Sequence, residues 1–307
     1  MAKKTKATPP PACPEKIRIG TIANGGGAAN FIRQTLPHGF ESYSVMFWAT
    51  LGGARLPEVA KGCHEALAGS DAVISSLGMF GNPLTDDKDG KEVVDGFHQC
   101  IDAAVLFGCD LVTGFAGRLP DVSIGDCMPR FKEVWAPIAQ HAADAGVRIA
   151  FENCDMGGDW HRGTWNIAQN PTAWEMMFAQ FPSEHVGLQW EPCHQMVSLI
   201  DPMPQLATWA KKVFHVHGKD ATVRWDIVRE HGVHGPHQFA WHRTPGFGDS
   251  NWADIITILR MAGFVGSIDI EGYHDPVYRD ALEMTGQVHA LNYLKGCRGG
   301  TFVPNPT

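Results

Sequence analysis

The chain has 307 residues, of which 44% are hydrophobic and 19% charged, with a formal net charge of −8. Such a composition can bury a sizeable core, and the length allows one large domain or two small ones. The charge leaves no basic footprint for nucleic acid, and no apolar run approaches a membrane span, so both partners are disfavoured from the outset.

Residues 1–15 carry Lys3, Lys4 and Lys6 ahead of TPPPACPE. They lack the apolar stretch of a signal peptide and are expected to form a flexible extension. IRIGTIA (17–23) predicts a first strand that runs into the glycine-rich turn NGGGAANF. Neither GxGxxG nor GxxxxGK[ST] occurs there, which favours a tight βα turn over a phosphate loop. ESYSVMFWA (41–49) predicts the second strand, and 56–70 has helical spacing with Pro57 near its start. A third strand over 71–81, a helix over 90–108 ending in glycine, and a fourth strand over 110–117 follow. The helix expected over 127–146 contains Pro137, where a bend is expected. VRIAFEN (147–153), VGLQWEPCH (186–194), VFHVHGKD (213–220) and GSIDIEG (266–272) are the remaining strand runs. Helical stretches at 170–182, 201–212, 252–263 and about 278–297 alternate with them, and 221–251 reads as irregular.

Eight strand signals, each followed by a helix signal and with no break in composition, predict one α/β domain. A (β/α)8 TIM barrel over 16–297 with a tail at 298–307 fits better than a doubly wound open sheet. The eight cysteines form no CxxC pair. Several lie in apolar contexts, which predicts free thiols in a reducing, cytoplasmic setting.

Four of the strand runs end on a residue able to hold a metal: Glu152, Glu191, His217 and Glu271. A charged residue at the tip of a buried strand is not there for packing. In a parallel barrel the carboxyl ends of all strands converge on one mouth, so the four can meet. Three carboxylates and one imidazole suit one Mn²⁺, Mg²⁺ or Co²⁺, Mn²⁺ foremost, better than a structural zinc. His215 shares a face with His217 but sits deeper, which favours a hydrogen-bonded core histidine. Pro192 holds Glu191 extended, and His194 is placed either to orient Glu191 or to contact substrate. Lys219 and Asp220 are open between an ion pair or cap and substrate contact.

Two loops exceed what a βα connection needs. Residues 154–169 bring Trp160, His161, Arg162 and Trp165; residues 221–251 bring Trp225, His231, His234, His237, Trp241 and His242. Long loops rich in tryptophan and histidine predict a substrate lid over the mouth, with aromatic faces for a sugar ring or an aryl aglycone. His161 is a candidate extra base, with an ordinary exposed loop histidine as the alternative.

The set Glu152-Asn153, Glu191-Pro-x-His194, His217-x-Lys219-Asp220, Arg243-x-Pro245-Gly246-x-Gly248 and Glu271 resembles the sugar phosphate isomerase/epimerase superfamily, the xylose isomerase-like barrels. The resemblance is strongest over 147–272. It implies one divalent metal held by Glu152, Glu191, His217 and Glu271, with Glu152 and Glu271 doubling as acid and base. His194, Lys219 and Arg243 are the candidate substrate contacts, with Trp160 and Trp241 of the long loops as aromatic walls. Where many relatives have D-P-x-H, this chain has Glu191-Pro192-Cys193-His194, one methylene longer.

The chemistry such a site supports is proton abstraction beside a carbonyl through a metal-stabilised enediolate. Proton return to the other face epimerises, return to the neighbouring carbon isomerises, and loss of a β-substituent eliminates. A sugar isomerase/epimerase is therefore expected. A lyase-type deglycosidase cleaving 3-oxo-(C-)glycosides with a small partner subunit is the alternative. A non-catalytic carbohydrate-binding barrel ranks below both, and a repair nuclease is disfavoured by the acidic charge. The partner is a small sugar or sugar derivative; a homo-oligomer is compatible with all of this.

Overall fold

The computed structural model of the protein describes residues 17–306, so the extension expected over 1–15 lies outside the described residues. In chain order the elements are β1 (Arg18–Asn24), α1 (Ala28–Thr35), β2 (Ser42–Trp48), α2 (Leu56–Leu67), β3 (Val73–Phe80) and α3 (Lys88–Phe107). Next come β4 (Leu111–Gly114), α4 (Ile124–Asp144), β5 (Arg148–Glu152), α5 (Pro171–Gln180), β6 (Val186–Trp190), α6 (Cys193–Val197) and α7 (Pro202–Trp209). The last part holds β7 (Val213–Gly218), β8 (Asp220–Val223), α8 (Trp225–His231), β9 (Ala240–Arg243), α9 (Trp252–Met261), β10 (Ser267–Ile270) and α10 (Glu283–Cys297).

Eight of these strands close a barrel in the order β1-β10-β7-β6-β5-β4-β3-β2, every pair parallel. The strands are short runs of β-branched and aromatic residues buried on both faces, as a sheet covered by helices requires. Local chemistry fixes the helix ends. Asp87 accepts from Gly90 N to start α3, Gly108 (φ 70°) ends it, Ser123 caps α4, and Asn170 caps α5 ahead of Pro171. The α4 helix runs unbroken through Pro129 and Pro137.

Between strands and helices lie Trp135, Trp174, Trp252, Phe97, Phe107 and Phe131, each with less than 2% of its surface exposed. Truncating any one of them would cost roughly 3–5 kcal/mol. Inside the barrel, below the mouth, sits a closed polar layer. His215 Nε2 lies 2.8 Å from Asp269 Oδ2, Gln189 Nε2 donates to His215 Nδ1 at 3.0 Å, and Ser42 and Ser75 hydroxyls both donate to Asp269. His215 is thus the paired core histidine the strand period suggests. Gly20 makes room for this layer, since a Cβ there would come within 2.2 Å of Asp269 Oδ1 and 2.1 Å of the Ser42 carbonyl.

The irregular stretch expected over 221–251 is corrected here. β8 and β9 pair antiparallel in the register Asp220↔Arg243, Ala221↔His242, Thr222↔Trp241 and Val223↔Ala240, with α8 between them. Four-residue strands separated by a helix, only the second of them half-buried throughout, leave no apolar run or tight-turn signal in the sequence. The hairpin starts directly after β7 and so stands over the carboxyl ends of the barrel strands.

Candidate metal centre and mouth of the barrel

Glu152 is the last residue of β5, Glu191 follows β6, His217 is near the end of β7, and Glu271 follows β10. The curvature of the closed sheet brings the four together, with one ligand-type atom of each within 4.8 Å of all the others. His217 Nδ1 lies 2.9 Å from Glu152 Oε1 and 3.1 Å from Glu271 Oε2. Glu191 is fully buried; its Oε1 is 2.7 Å from His194 Nε2 but off the direction of a hydrogen bond. Both Glu191 oxygens, Glu271 Oε2 and His217 Nε2 are buried without a hydrogen-bond partner. The unpartnered Glu191 and Glu271 oxygens are orphaned acceptors of the kind a cation would satisfy. The residues therefore fit a divalent ion on their own geometry.

Lys219 is the charge that closes this cluster on one side. Its Nζ donates to Glu271 Oε1 at 2.5 Å and to His194 Nε2 at 3.3 Å. The His194 Nε2 lone pair is thereby engaged, so the neutral ring carries its proton on Nδ1, which faces Asp155 Oδ1 at 4.0 Å. Burial, and then the Lys219 charge, hold His194 well below its ordinary value. The same two causes bring His242 down to about 4 and lower His274. Burial opposes the charged form of His217, but its contacts with Glu152 and Glu271 outweigh this and push it up to about 9. Burial also opposes ionised Glu271; the Lys219 charge and the His217 contact overcome it and hold the carboxyl well below the usual range. Lys219 is raised in turn, its own burial being outweighed by Glu271.

Of the other expected contact residues, Arg243 sits on β9 with its Nε 3.0 Å from Asp275 Oδ2, a carboxylate with no exposed surface. Trp241 is half-buried on the same strand. Trp160 is half-buried and packs one side against the main core. His161 is exposed, and no side-chain bond ties it to the cluster among the described residues.

The loop over 154–169 is a bolted wall and not a swinging flap. Arg118, fully buried, donates to the carbonyls of Asp159 (2.6 Å) and Val122 (3.0 Å). Gly158 and Gly163 close on its guanidinium, where a Cβ would come within 3.2 and 2.7 Å. Asn82 bonds the Arg118 and Thr164 carbonyls, and Asn166 bonds those of Glu152 and Cys154.

Sequence reasoning missed several residues of the mouth. Asp155 and His274 lie just past β5 and β10, and His274 Nε2 is 3.7 Å from Glu271. Phe80 ends β3 and stacks on His217 with ring centroids 6.2 Å apart. Phe115 follows β4 and meets Phe80 edge to face at 5.2 Å. The available signal was position alone, each being within a few residues of a strand's carboxyl end. Ala49, Met156 and Tyr273, at φ 60°, 50° and 73°, also follow β2, β5 and β10, so backbone strain gathers on the same rim.

A closed parallel barrel with carboxylates and an imidazole gathered at its carboxyl-end mouth defines a TIM-barrel protein. The family model described as xylose isomerase-like TIM barrel matches residues 32–295, and the chain belongs to that family. It is 24% identical over 247 residues to the uncharacterized protein YfiH of Bacillus subtilis (strain 168), covering 70% of this chain and 75% of that one. It is 28% identical over 164 residues to the rhizopine catabolism protein MocC of Rhizobium meliloti, covering 52% and 44% respectively. Among solved structures, the xylose isomerase domain protein of Planctomyces limnophilus superposes with a TM-score of 0.69 at 18% identity, over 93% of this chain and 98% of that one. The 3-keto-D-glucoside 4-epimerase YcjR of E. coli does so with a TM-score of 0.67 at 14% identity, over 92% and 100%. No helix among the described residues is long and apolar enough to cross a membrane, and their seven cysteines are free.

Proposed function

We propose that the protein is a divalent-metal-dependent sugar isomerase or epimerase that works by proton abstraction beside a carbonyl. The observation that carries this is the convergence of Glu152, Glu191, His217 and Glu271, with both Glu191 oxygens and Glu271 Oε2 unpartnered. A divalent ion held by these four, Mn²⁺ first, would supply electrophilic stabilisation of the negative charge that develops on the sugar oxygens. The chain's own residues then divide the remaining work.

Glu152 and Glu271 both approach the same nitrogen of His217, at 2.9 and 3.1 Å, so the two carboxylates flank one point. A proton taken from carbon by one and returned by the other inverts or moves the stereocentre. Lys219 keeps Glu271 ionised and ready to accept a proton. His194, kept neutral by burial, sets its Nε2 against Lys219 and beside Glu191 at the edge of the cluster. His217 and Glu191, the latter without exposed surface, make up the rigid floor. The bolted 154–169 loop and the β8–β9 hairpin limit water at the reacting carbon. Several structural neighbours bear epimerase names, among them L-ribulose 3-epimerase (TM-score 0.64, 15% identity), which supports this chemistry for the fold.

The test is wash-in of solvent deuterium at the carbon next to the carbonyl of ketose substrates, with metal present and after chelation. Exchange should need the ion, return with Mn²⁺ or Co²⁺, and vanish in both Glu152→Gln and Glu271→Gln. Full exchange in the chelated enzyme, or undiminished exchange in both variants, rejects the assignment.

A further inference from the structure

A second group of donors gathers at the mouth beside the four strand tips. Cys154 and Asp155 follow Glu152 off the end of β5, and His194 lies in α6, three residues after Glu191. The Cys154 sulfur, a carboxylate oxygen of Asp155 and a ring nitrogen of His194 all lie within 4.8 Å of one another. His194 Nδ1 faces Asp155 Oδ1 at 4.0 Å, in a side chain with only 6% of its surface exposed. That nitrogen has no hydrogen-bond partner among the described residues. A buried ring nitrogen set beside a thiol and a carboxylate, and bonded to neither, is what a metal ion would satisfy.

The surroundings hold these donors in place. Asn166 Nδ2 donates to the Cys154 carbonyl at 2.7 Å, and Met156 N donates to the Cys154 sulfur at 3.3 Å. Asp155 Oδ1 accepts from Gly157 N at 3.1 Å and Oδ2 from the Ser198 hydroxyl at 3.4 Å, which fixes the carboxylate. On the far side of the imidazole, Nε2 stands 2.7 Å from Glu191 Oε1. A carboxylate behind a histidine orients the ring toward a metal and makes it a better donor. An ion at Nδ1 moves the ring proton to Nε2, where a small turn of the Glu191 carboxylate lets Oε1 accept it. Lys219 keeps its bond to Glu271. Charge also balances. Glu152, Glu191 and Glu271 are matched by one divalent ion and Lys219. The Asp155 carboxylate and the thiolate that Cys154 becomes on binding are matched by a second.

We propose that Cys154, Asp155 and His194 form a second cation site beside the first, selective for Zn²⁺ over Mn²⁺, with a fourth position left for water or a substrate oxygen. Sulfur and imidazole nitrogen with a single carboxylate are a softer donor set than the three carboxylates and one imidazole of the first centre. The two sites therefore take different classes of ion and adjoin through the Glu191–His194 contact. The site stands on its own donors and does not depend on the sugar chemistry.

The test is equilibrium dialysis of the full-length, Mn²⁺-saturated protein against Zn²⁺ with both bound metals counted, repeated with Co²⁺ and followed by absorption. One equivalent of Zn²⁺ should bind while the Mn²⁺ stays, and Co²⁺ in its place should bring up a thiolate-to-cobalt charge-transfer band. Cys154→Ser should remove the band and weaken Zn²⁺ by at least about 100-fold, more than loss of an outer partner costs, while Mn²⁺ binding holds. Asp155→Asn, at a partly exposed position, should keep the band and weaken Zn²⁺ by about tenfold or more. Zn²⁺ that replaces Mn²⁺ one for one, or a band that survives Cys154→Ser, overturns the site. If Cys154→Ser loses Mn²⁺ as well, Asp155→Asn decides, and unchanged Zn²⁺ affinity there overturns it too. Protein that holds Zn²⁺ through Cys154 but takes up no Mn²⁺ supports this site and rejects the first centre.

Discussion

Glu191 gives the sharpest test of whether the centre is built for an ion. Its side chain has no exposed surface and neither oxygen has a hydrogen-bond partner, so without a cation it is a buried acid with nothing to satisfy it. Replacing a buried polar group of this kind by an apolar side chain of similar volume is neutral to stabilising, by about 1–3 kcal/mol. Metal-stripped Glu191→Met should therefore melt above metal-stripped wild type, by about 2–4 °C per kcal/mol. Adding Mn²⁺ at a hundred times its dissociation constant should stabilise wild type by about 2.7 kcal/mol, and the variant, short of one ligand, far less. The order of the two melting curves should thus cross over on adding metal. Differential scanning calorimetry with and without chelator reads this directly. Equal metal increments in both proteins would show that Glu191 is not a ligand, and a lower melting point for the stripped variant would show that the carboxylate is satisfied in a way the geometry does not reveal.

Lys219→Met should cost about 3–5 kcal/mol in denaturant unfolding by leaving Glu271 buried without its ion pair, and adding Glu271→Gln should recover part of that loss. A double variant as unstable as the sum of the singles would refute the coupling. Arg118→Met should free the 154–169 carbonyls and raise amide exchange of that loop while the barrel strands stay protected. Unchanged exchange there would mean that Asn82 and Asn166 suffice to hold it. On the outer face, His98 Nδ1 lies 2.7 Å from His141 Nδ1, and burial together with the neighbouring ring lowers the pKa of His98. The unfolded chain therefore gains this proton at a higher pH than the native state, and stability should fall as pH drops below about 6.5. Asp95 and Asp102 nearby oppose the shift without reversing it. The urea midpoint of His98→Gln should decline less than wild type over that range; parallel declines would remove the pair as the cause.

How much of this was legible beforehand varies residue by residue. The eight strand–helix alternations, the closed parallel barrel and the four strand-tip ligand candidates are visible because each depends on local pattern: an apolar run of strand length, a charged terminator, a helix period between. His215 as a core histidine follows from its two-residue offset from His217. The mouth's specificity elements are different in kind. Nothing near Arg118 in the chain announces that it would be buried as the post of a loop forty residues on, because its partners are backbone carbonyls. Trp160, expected as a wall of the cleft, rests one side against the core, and His161 stays in solvent. Phe80 looks like an ordinary strand residue until closure of the sheet stacks it on His217, with Phe115 edge to face behind it. The β8–β9 hairpin is set by pairing across an intervening helix, which no window of sequence contains. The sequence by itself determined the barrel and its ring of acidic tips, since periodicity and chain direction are local properties. Only the tertiary structure decided which side chains share the mouth, because that depends on the curvature of the sheet and on loops folding back over it.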